Sequence, residues 1–246
     1  MHCSAANAVA GICEYLTRRY MGRRYEVSRL FMYYNGRMMS KTSPTRDTGV
    51  FARDVVLSLR KYGVCEESLW PYDRNLLHRK PSRAAYEQAS RFTVVAIRIP
   101  PDIKSIETCL HNQIPVLVDV ILFNGAGTQV RANRGVLPMP NLNNRRINLS
   151  DLHTVLLVGY DRDRNHFIVR NSWGKNWVND ILTLAFGRMC FSVSLKGCEG
   201  YFRMPYAYLR DERLCHPHDG LWSIARIVPR GNNLPPIREL VRYKHH

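Results

Sequence analysis

The sequence predicts an α+β protein with two lobes. Helical periodicity fills its first third, strand-type patterns follow from Arg91 onward, and 246 residues suit one large domain or two small lobes. A hydrophobic content of 45% excludes a disordered chain and allows a sizeable core.

The elements follow in order. Residues 4–19 read as a helix, because Ala5, Ala8, Val9, Ile12 and Leu16 fall on one stripe at helical spacing. A second helix is expected over Ser28–Arg37, with Leu30, Phe31 and Tyr34 inward. A third spans Gly49–Tyr62, with Phe51, Val55, Val56 and Leu59 as its core stripe and Gly63 as its stop. The loop Leu69-Trp-Pro-Tyr-Asp73 closes this helical lobe, expected over residues 1–90. Phe92–Ile99 then reads as a strand halted by Pro100-Pro101. Ile103–Asn112 is a short helix and Pro115–Phe123 an apolar strand. A polar loop is expected over Asn124–Ser150. Thr154–Tyr160 and Phe167–Arg170 form a hairpin, and Tyr201–Leu209 is a further strand. The β lobe is expected over residues 91–228, and the Pro-containing basic segment 229–246 reads as a loose tail.

The formal charge of +16 reads as a basic surface. Nucleic-acid binding is disfavoured, since the Arg residues are scattered and no nucleic-acid motif accompanies them. No apolar run approaches the roughly 18 residues of a membrane span, so no membrane partner is expected. The first residues lack the charged start and apolar core of a signal peptide. Cys is present seven times, an odd number, so one thiol stays unpaired unless it crosslinks to another chain. Cys13 and Cys109 sit on helical stretches and read as buried thiols. Cys215-His-Pro-His218 lacks the ligand spacing of a zinc site, so no metal is expected.

Chemistry concentrates in three residues. Cys3 stands just before the first helix, His153 follows 150 residues later, and Asn171 lies 18 beyond that. A Cys near the start of a domain, with His and Asn roughly 130–150 residues on, is the layout of a Cys-His-Asn thiol hydrolase. The thiolate is the nucleophile, and both a helix N-terminus and an imidazolium favour it. His153 would act as acid and base, and Asn171 would orient its ring. A hairpin turning at about Arg162 would set His153 and Asn171 opposite each other, since both lie nine residues from that centre.

Several segments together resemble the papain-like cysteine peptidases, most closely their microbial-type members. Cys3-Ser4-Ala5 is similar to the segment opening the family's central helix. Asp47-Thr-Gly49, Arg53-Asp54 and Lys61-Tyr-Gly63 through Trp70-Pro-Tyr72 resemble its middle. Gly135-Val-Leu-Pro-Met-Pro140, His153–Tyr160 and Val169-Arg-Asn-Ser-Trp-Gly174 resemble the His and Asn segments. Tyr201-Phe-Arg-Met-Pro-Tyr206 and Leu221-Trp-Ser-Ile224 resemble the closing strands, so the likeness spans residues 2–228. It implies a helical N-terminal lobe, a β-barrel-like C-terminal lobe and an active-site cleft between them. It also implies hydrolysis of peptide or protein substrates through a thioester acyl-enzyme, without metal or organic cofactor, by a monomer. Cys3, His153 and Asn171 would be the catalytic residues. Trp173 would cover the His153–Asn171 hydrogen bond. Gly49 would offer backbone groups to an extended substrate, and Leu152 would line the pocket near the reacting carbonyl.

Two departures from the family pattern shape the alternatives. The family carries a Gln six residues before the Cys, and its amide helps hold the oxyanion; that position precedes Met1. Loss of one such donor typically costs about 10²–10³ in turnover. This keeps open an impaired pseudo-peptidase or binding protein, with a basic nucleic-acid-binding domain as a third class. The family also passes within about four residues from the position of Trp177 to the Gly-Tyr-Phe strand. Here Val178–Gly200 intervenes, carrying Cys190 and Cys198, and is expected to be an insertion outside the core.

Overall fold

The computed structural model describes residues 1–23, 25–143, 149–174, 188–189, 200–215 and 220–239. It has seven helices among the described residues, α1 (Ser4–Met21), α2 (Arg29–Met39), α3 (Ala52–Tyr62), α4 (Arg83–Ala89), α5 (Ile103–His111), α6 (Ala126–Ala132) and α7 (Tyr206–Arg210). The strands are β1 (Phe92–Ile99), β2 (Val116–Phe123), β3 (Leu149–Asp161), β4 (His166–Arg170), β5 (Arg188–Met189), β6 (Tyr201–Pro205), β7 (Leu221–Pro229) and β8 (Arg238–Glu239). The architecture is α+β, as expected. The chain divides into two compact units, Met1–Ile99 with Leu221–His246, and Pro100–Gly220. The sequence pattern places the boundary near residue 90; β1 and β7 instead join the helical unit, because they pair antiparallel with each other along their full length.

In the first unit the apolar stripe of α1 is buried as the periodicity requires, with Ala5, Val9 and Ile12 fully enclosed. Ser28 caps α2, its hydroxyl accepting from the Phe31 N–H at 3.1 Å. Val55, Val56 and Leu59 bury the inner face of α3. Phe51 does not join them. The helix begins at Ala52, so Phe51 is its cap residue with extended backbone and is 50% exposed. Gly63 ends α3 at φ 75° and ψ −156°, a region open in practice to glycine alone. A Cβ there would lie 1.9 Å from the Ala89 carbonyl oxygen. Helix α4 escapes the periodicity because it is short; Ser82 caps it and only Ala85 and Ala89 are buried. The segment expected as a loose tail is partly docked. Arg238 and Glu239 pair parallel with Ile97 and Arg98 of β1. The Arg60 guanidinium donates to the Pro235 carbonyl. Residues 240–246 lie outside the described residues.

In the second unit β3 pairs antiparallel with β2 on one edge and β4 on the other, and β4 pairs with β6. Two expectations are corrected here. The polar segment 124–150 contains α6, with Ala126 and Val130 buried four residues apart. The strand expected over Tyr201–Leu209 stops at Pro205, and Tyr206–Arg210 is helical. Proline has no N–H to extend the ladder and sits instead at the helix start. Glu107 of α5 joins three elements: its carboxylate accepts from Tyr206 at 2.6 Å and from Arg162 at 2.8 Å. Of the segment 178–200, Arg188–Met189 form β5, antiparallel to Gly159–Tyr160 of β3. Residues 175–187 and 190–199, with Trp177, Cys190 and Cys198 among them, lie outside the described residues, as do His216 and His218 beside the buried Cys215.

Gly63→Ala should cost about 3 kcal/mol or more, from a forbidden backbone region and a direct clash with the Ala89 carbonyl. Gly22→Ala, in the ordinary left-handed region with open space around it, should cost only about 1 kcal/mol. Urea unfolding of the two variants measures the difference; equal losses would show that the Gly63 turn relaxes.

Candidate active site

The proposed site residues form two clusters, one in each compact unit. In the first, Cys3 is the residue before α1 and stands at the N-terminus of an 18-residue helix. Its carbonyl accepts from the Asn7 backbone N–H and from the Asn7 side-chain amide, both at 3.0 Å. The same amide nitrogen lies 3.4 Å from Cys3 Sγ. The Tyr72 hydroxyl lies 2.8 Å from Sγ. Cys3 is only 2% exposed, more enclosed than expected for a nucleophile at a cleft surface. Burial pushes its thiol up, and the Tyr72 hydrogen bond opposes that shift without cancelling it.

Asp47 organises the chain around this sulfur. Its carboxylate accepts from the His2 backbone N–H at 2.9 Å and from the Tyr33 hydroxyl at 2.7 Å. The Tyr33 oxygen in turn accepts from the Gly49 N–H at 3.0 Å. Burial alone would raise the Asp47 carboxyl, but these two donors hold it below the usual range. The result sets Gly49 against His2, the residue before Cys3; a Cβ on Gly49 would lie 3.8 Å from the His2 Cβ. Gly49 therefore stands beside the residue that precedes Cys3, and its N–H is already engaged by Tyr33.

The second cluster is built on β3 and the end of β4. His153 Nε2 lies 2.8 Å from Asn171 Oδ1. That oxygen also accepts from the Ser172 backbone N–H at 2.8 Å. An N–H can only donate, so the atom it meets must be the amide oxygen. His153 then carries its proton on Nε2 and, in the neutral ring, a lone pair on Nδ1. Burial pulls the His153 pKa down, and the Asn171 bond opposes this. Cys3 and His153 thus both favour their neutral forms.

The hairpin brings His153 and Asn171 together through a register other than the one expected. Asp161 pairs with His166, so the turn centres between Asp163 and Arg164. An irregularity between Leu157 and Gly159 then moves the ladder one residue back toward the expected register. Asn171 lies just past the last paired residue of β4 and reaches His153 diagonally. Its backbone is fixed by donation to the Gly200 carbonyl at 2.9 Å.

Trp173 sits over this pair, its ring centroid 5.2 Å from that of His153. A Cβ at Gly127 of α6 would lie 2.9 Å from the Trp173 ring, so a side chain there would push the indole aside. Trp173 remains 45% exposed. Leu152 is half-buried and pairs with Ile121 of β2. Thr154, next along the strand, donates its hydroxyl to Asp119. Sequence reasoning misses Asn7, Tyr72 and Gly127 as parts of these clusters. Asn7 carries a readable signal, four residues after Cys3 on a helix. Tyr72 is legible only as the end of the Trp70-Pro-Tyr72 segment and Gly127 not at all, since each meets its partner only through the fold.

These features match known proteins. A family model described as papain family cysteine protease matches residues 47–187, a span containing Gly49, Leu152, His153, Asn171 and Trp173. An uncharacterized peptidase C1-like protein, L477 of Acanthamoeba polyphaga mimivirus, is 31% identical over 242 residues, covering 94% of this chain and 70% of that protein. The crystal structure of xylellain, a cysteine protease from Xylella fastidiosa, shares 29% identity and a TM-score of 0.70, covering 91% and 79% of the two chains. Digestive procathepsin L 3 of Tenebrio molitor larval midgut, at 19% identity and a TM-score of 0.59, covers 91% of this chain and 63% of its own, and shares the fold. The chain belongs to the papain family of cysteine proteases and has the papain-like fold.

The depressed His153 pKa carries a stability consequence. The folded state disfavours protonation of the ring, whereas the unfolded state takes it up near pH ~6.5. Stability should therefore be full above that value and decline as pH falls through it. His166, also lowered by burial, contributes in the same direction. Urea midpoints at pH 7.5 and 5.5 should show the decline, and His153→Gln should flatten it. An unchanged slope in the variant would remove His153 as a source.

Proposed function

We propose that this chain hydrolyses peptide bonds of peptide or protein substrates by a Cys-His-Asn mechanism. The hydrogen bond from His153 Nε2 to Asn171 Oδ1 carries the reading, because it leaves the Nδ1 lone pair to take a proton. Thiol and imidazole both favour neutral forms, so the proton passes from Cys3 Sγ to His153 Nδ1 as sulfur attacks the carbonyl carbon. The C–S bond forms, the C–N bond breaks, and the amine leaves with the proton held by His153. Water, deprotonated by the same imidazole, then cleaves the thioester, releasing the acid and restoring the thiol. Asn171 keeps the ring from turning. Trp173 limits the access of water to the His153–Asn171 bond. Gly49 offers backbone groups to an extended substrate, and Leu152 lines the pocket near the reacting carbonyl. The reading requires no cofactor, nucleic acid, membrane or second copy.

The 2% exposure of Cys3 favours a second reading, a papain-family protein that binds peptides with little or no turnover. A library of fluorogenic peptides separates the two. Under the first reading, Cys3→Ala removes turnover. His153→Ala lowers kcat by about 10²–10⁴, the usual contribution of a positioned acid-base group. Asn171→Ala falls by less, since orientation is lost but the imidazole remains. Turnover that survives Cys3→Ala would sink the mechanism, and equal losses at Asn171 and His153 would sink the orienting role.

A further inference from the structure

The Tyr72 hydroxyl and the Asn7 amide both lie within hydrogen-bonding reach of the Cys3 sulfur, and the proposed proton transfer to His153 uses neither. Tyr72 belongs to the loop after α3, 69 residues from Cys3 in sequence. That loop is fastened at several points. The Tyr72 backbone N–H donates to the Glu67 carboxylate. Glu67 also accepts from the Arg29 backbone N–H at 3.2 Å and pairs with the Arg29 guanidinium at 3.5 Å, which in turn meets Glu14 of α1 at 2.8 Å. The Ser28 hydroxyl donates to the Trp70 carbonyl. The Tyr72 hydroxyl is thus delivered to Sγ by an anchored loop. Asn7 brings its amide nitrogen to the same sulfur from the first turn of α1.

We propose that Tyr72, with Asn7 as the weaker partner, stabilises the thiolate of Cys3 as its proton leaves, by donating hydrogen bonds to the sulfur. The proposal rests on the reading of Cys3 as nucleophile. A buried thiol loses the hydration that would stabilise its anion, so donors fixed at the sulfur replace water. The hydroxyl at 2.8 Å is the closer and stronger of the two. Burial and the donation to sulfur hold the phenol itself up at about 12, so it keeps its proton to donate across the working range. Other charges face the same sulfur: the Asp47 carboxylate opposes the thiolate, while the amino group of Met1 and the Arg37 guanidinium of α2 favour it.

The test is the pH dependence of Cys3 alkylation in the whole chain. Iodoacetamide labelling, followed from pH 6 up to the alkaline plateau above the raised thiol pKa, is read at the Cys3 peptide by mass mapping, which separates it from the other thiols. Tyr72→Phe keeps the ring and removes the donor. Its midpoint should rise by about one unit, the scale of a hydrogen bond to a charged group, with labelling about tenfold slower below the midpoint. Asn7→Ala should shift it the same way by less. Should Tyr72→Phe fail to fold, site-specific replacement of Tyr72 by 3-fluorotyrosine, a more acidic donor, should lower the midpoint instead. An unchanged midpoint in these variants overturns the proposal. So does faster labelling of Tyr72→Phe at the alkaline plateau with the wild-type midpoint, which would make Tyr72 only a cover. Failure of the peptidase reading is seen separately, as turnover that survives Cys3→Ala.

Discussion

Strand β3 is hydrogen-bonded along both edges, to β2 and to β4, and the second cluster depends on that double pairing. A strand so fixed cannot slip by one residue without breaking both ladders at once. The His153 backbone is therefore held in place before its side chain makes any contact. Asn171 follows from the other edge, where β4 ends and the backbone N–H finds the Gly200 carbonyl. The amide oxygen then takes two N–H donors, one from Ser172 and one from the imidazole. A ring with one nitrogen committed in this way has only one nitrogen left for chemistry.

The first cluster is organised differently. Cys3 owes its position to the start of α1, a local feature, but its surroundings come from distant segments. Asp47 ties His2 to Tyr33, and Tyr33 ties in Gly49. Tyr72 arrives from beyond α3 on a loop fastened by Glu67 and Ser28. Removing so much water from a thiol disfavours its anion, and the hydroxyl and amide around it act against that penalty. The electrostatics of Cys3 are therefore a balance between burial and a few directed donors, not a consequence of the helix N-terminus alone.

Packing around Trp173 shows how a short element outside the periodic pattern serves a site. Helix α6 has only two buried residues and lies where a polar loop was expected. Its Gly127 nevertheless leaves the gap into which the indole fits. Long, one-faced elements such as α1, α3 and β1 announce themselves by their spacing. Seven-residue helices with two buried alanines or an alanine and a valine do not, because so short a stripe is indistinguishable from chance.

By itself the sequence determined the α+β class, the long helices, strands β1 and β2, and the family, since each rests on local periodicity or on motif wording. It also named Cys3, His153 and Asn171, because their residue types and spacing carry chemical meaning before any fold is known. Only the tertiary structure decided the register of the hairpin, which a four-residue turn displaces from the symmetric expectation and an irregular step near Val158 partly restores. It alone decided that β1 and β7 share a unit with the helices, that Phe51 faces water, and that β8 docks on β1. It alone brought Tyr72 to the sulfur. These outcomes depend on contacts between segments tens of residues apart, and the free energy of such contacts is not written in the neighbourhood of either partner.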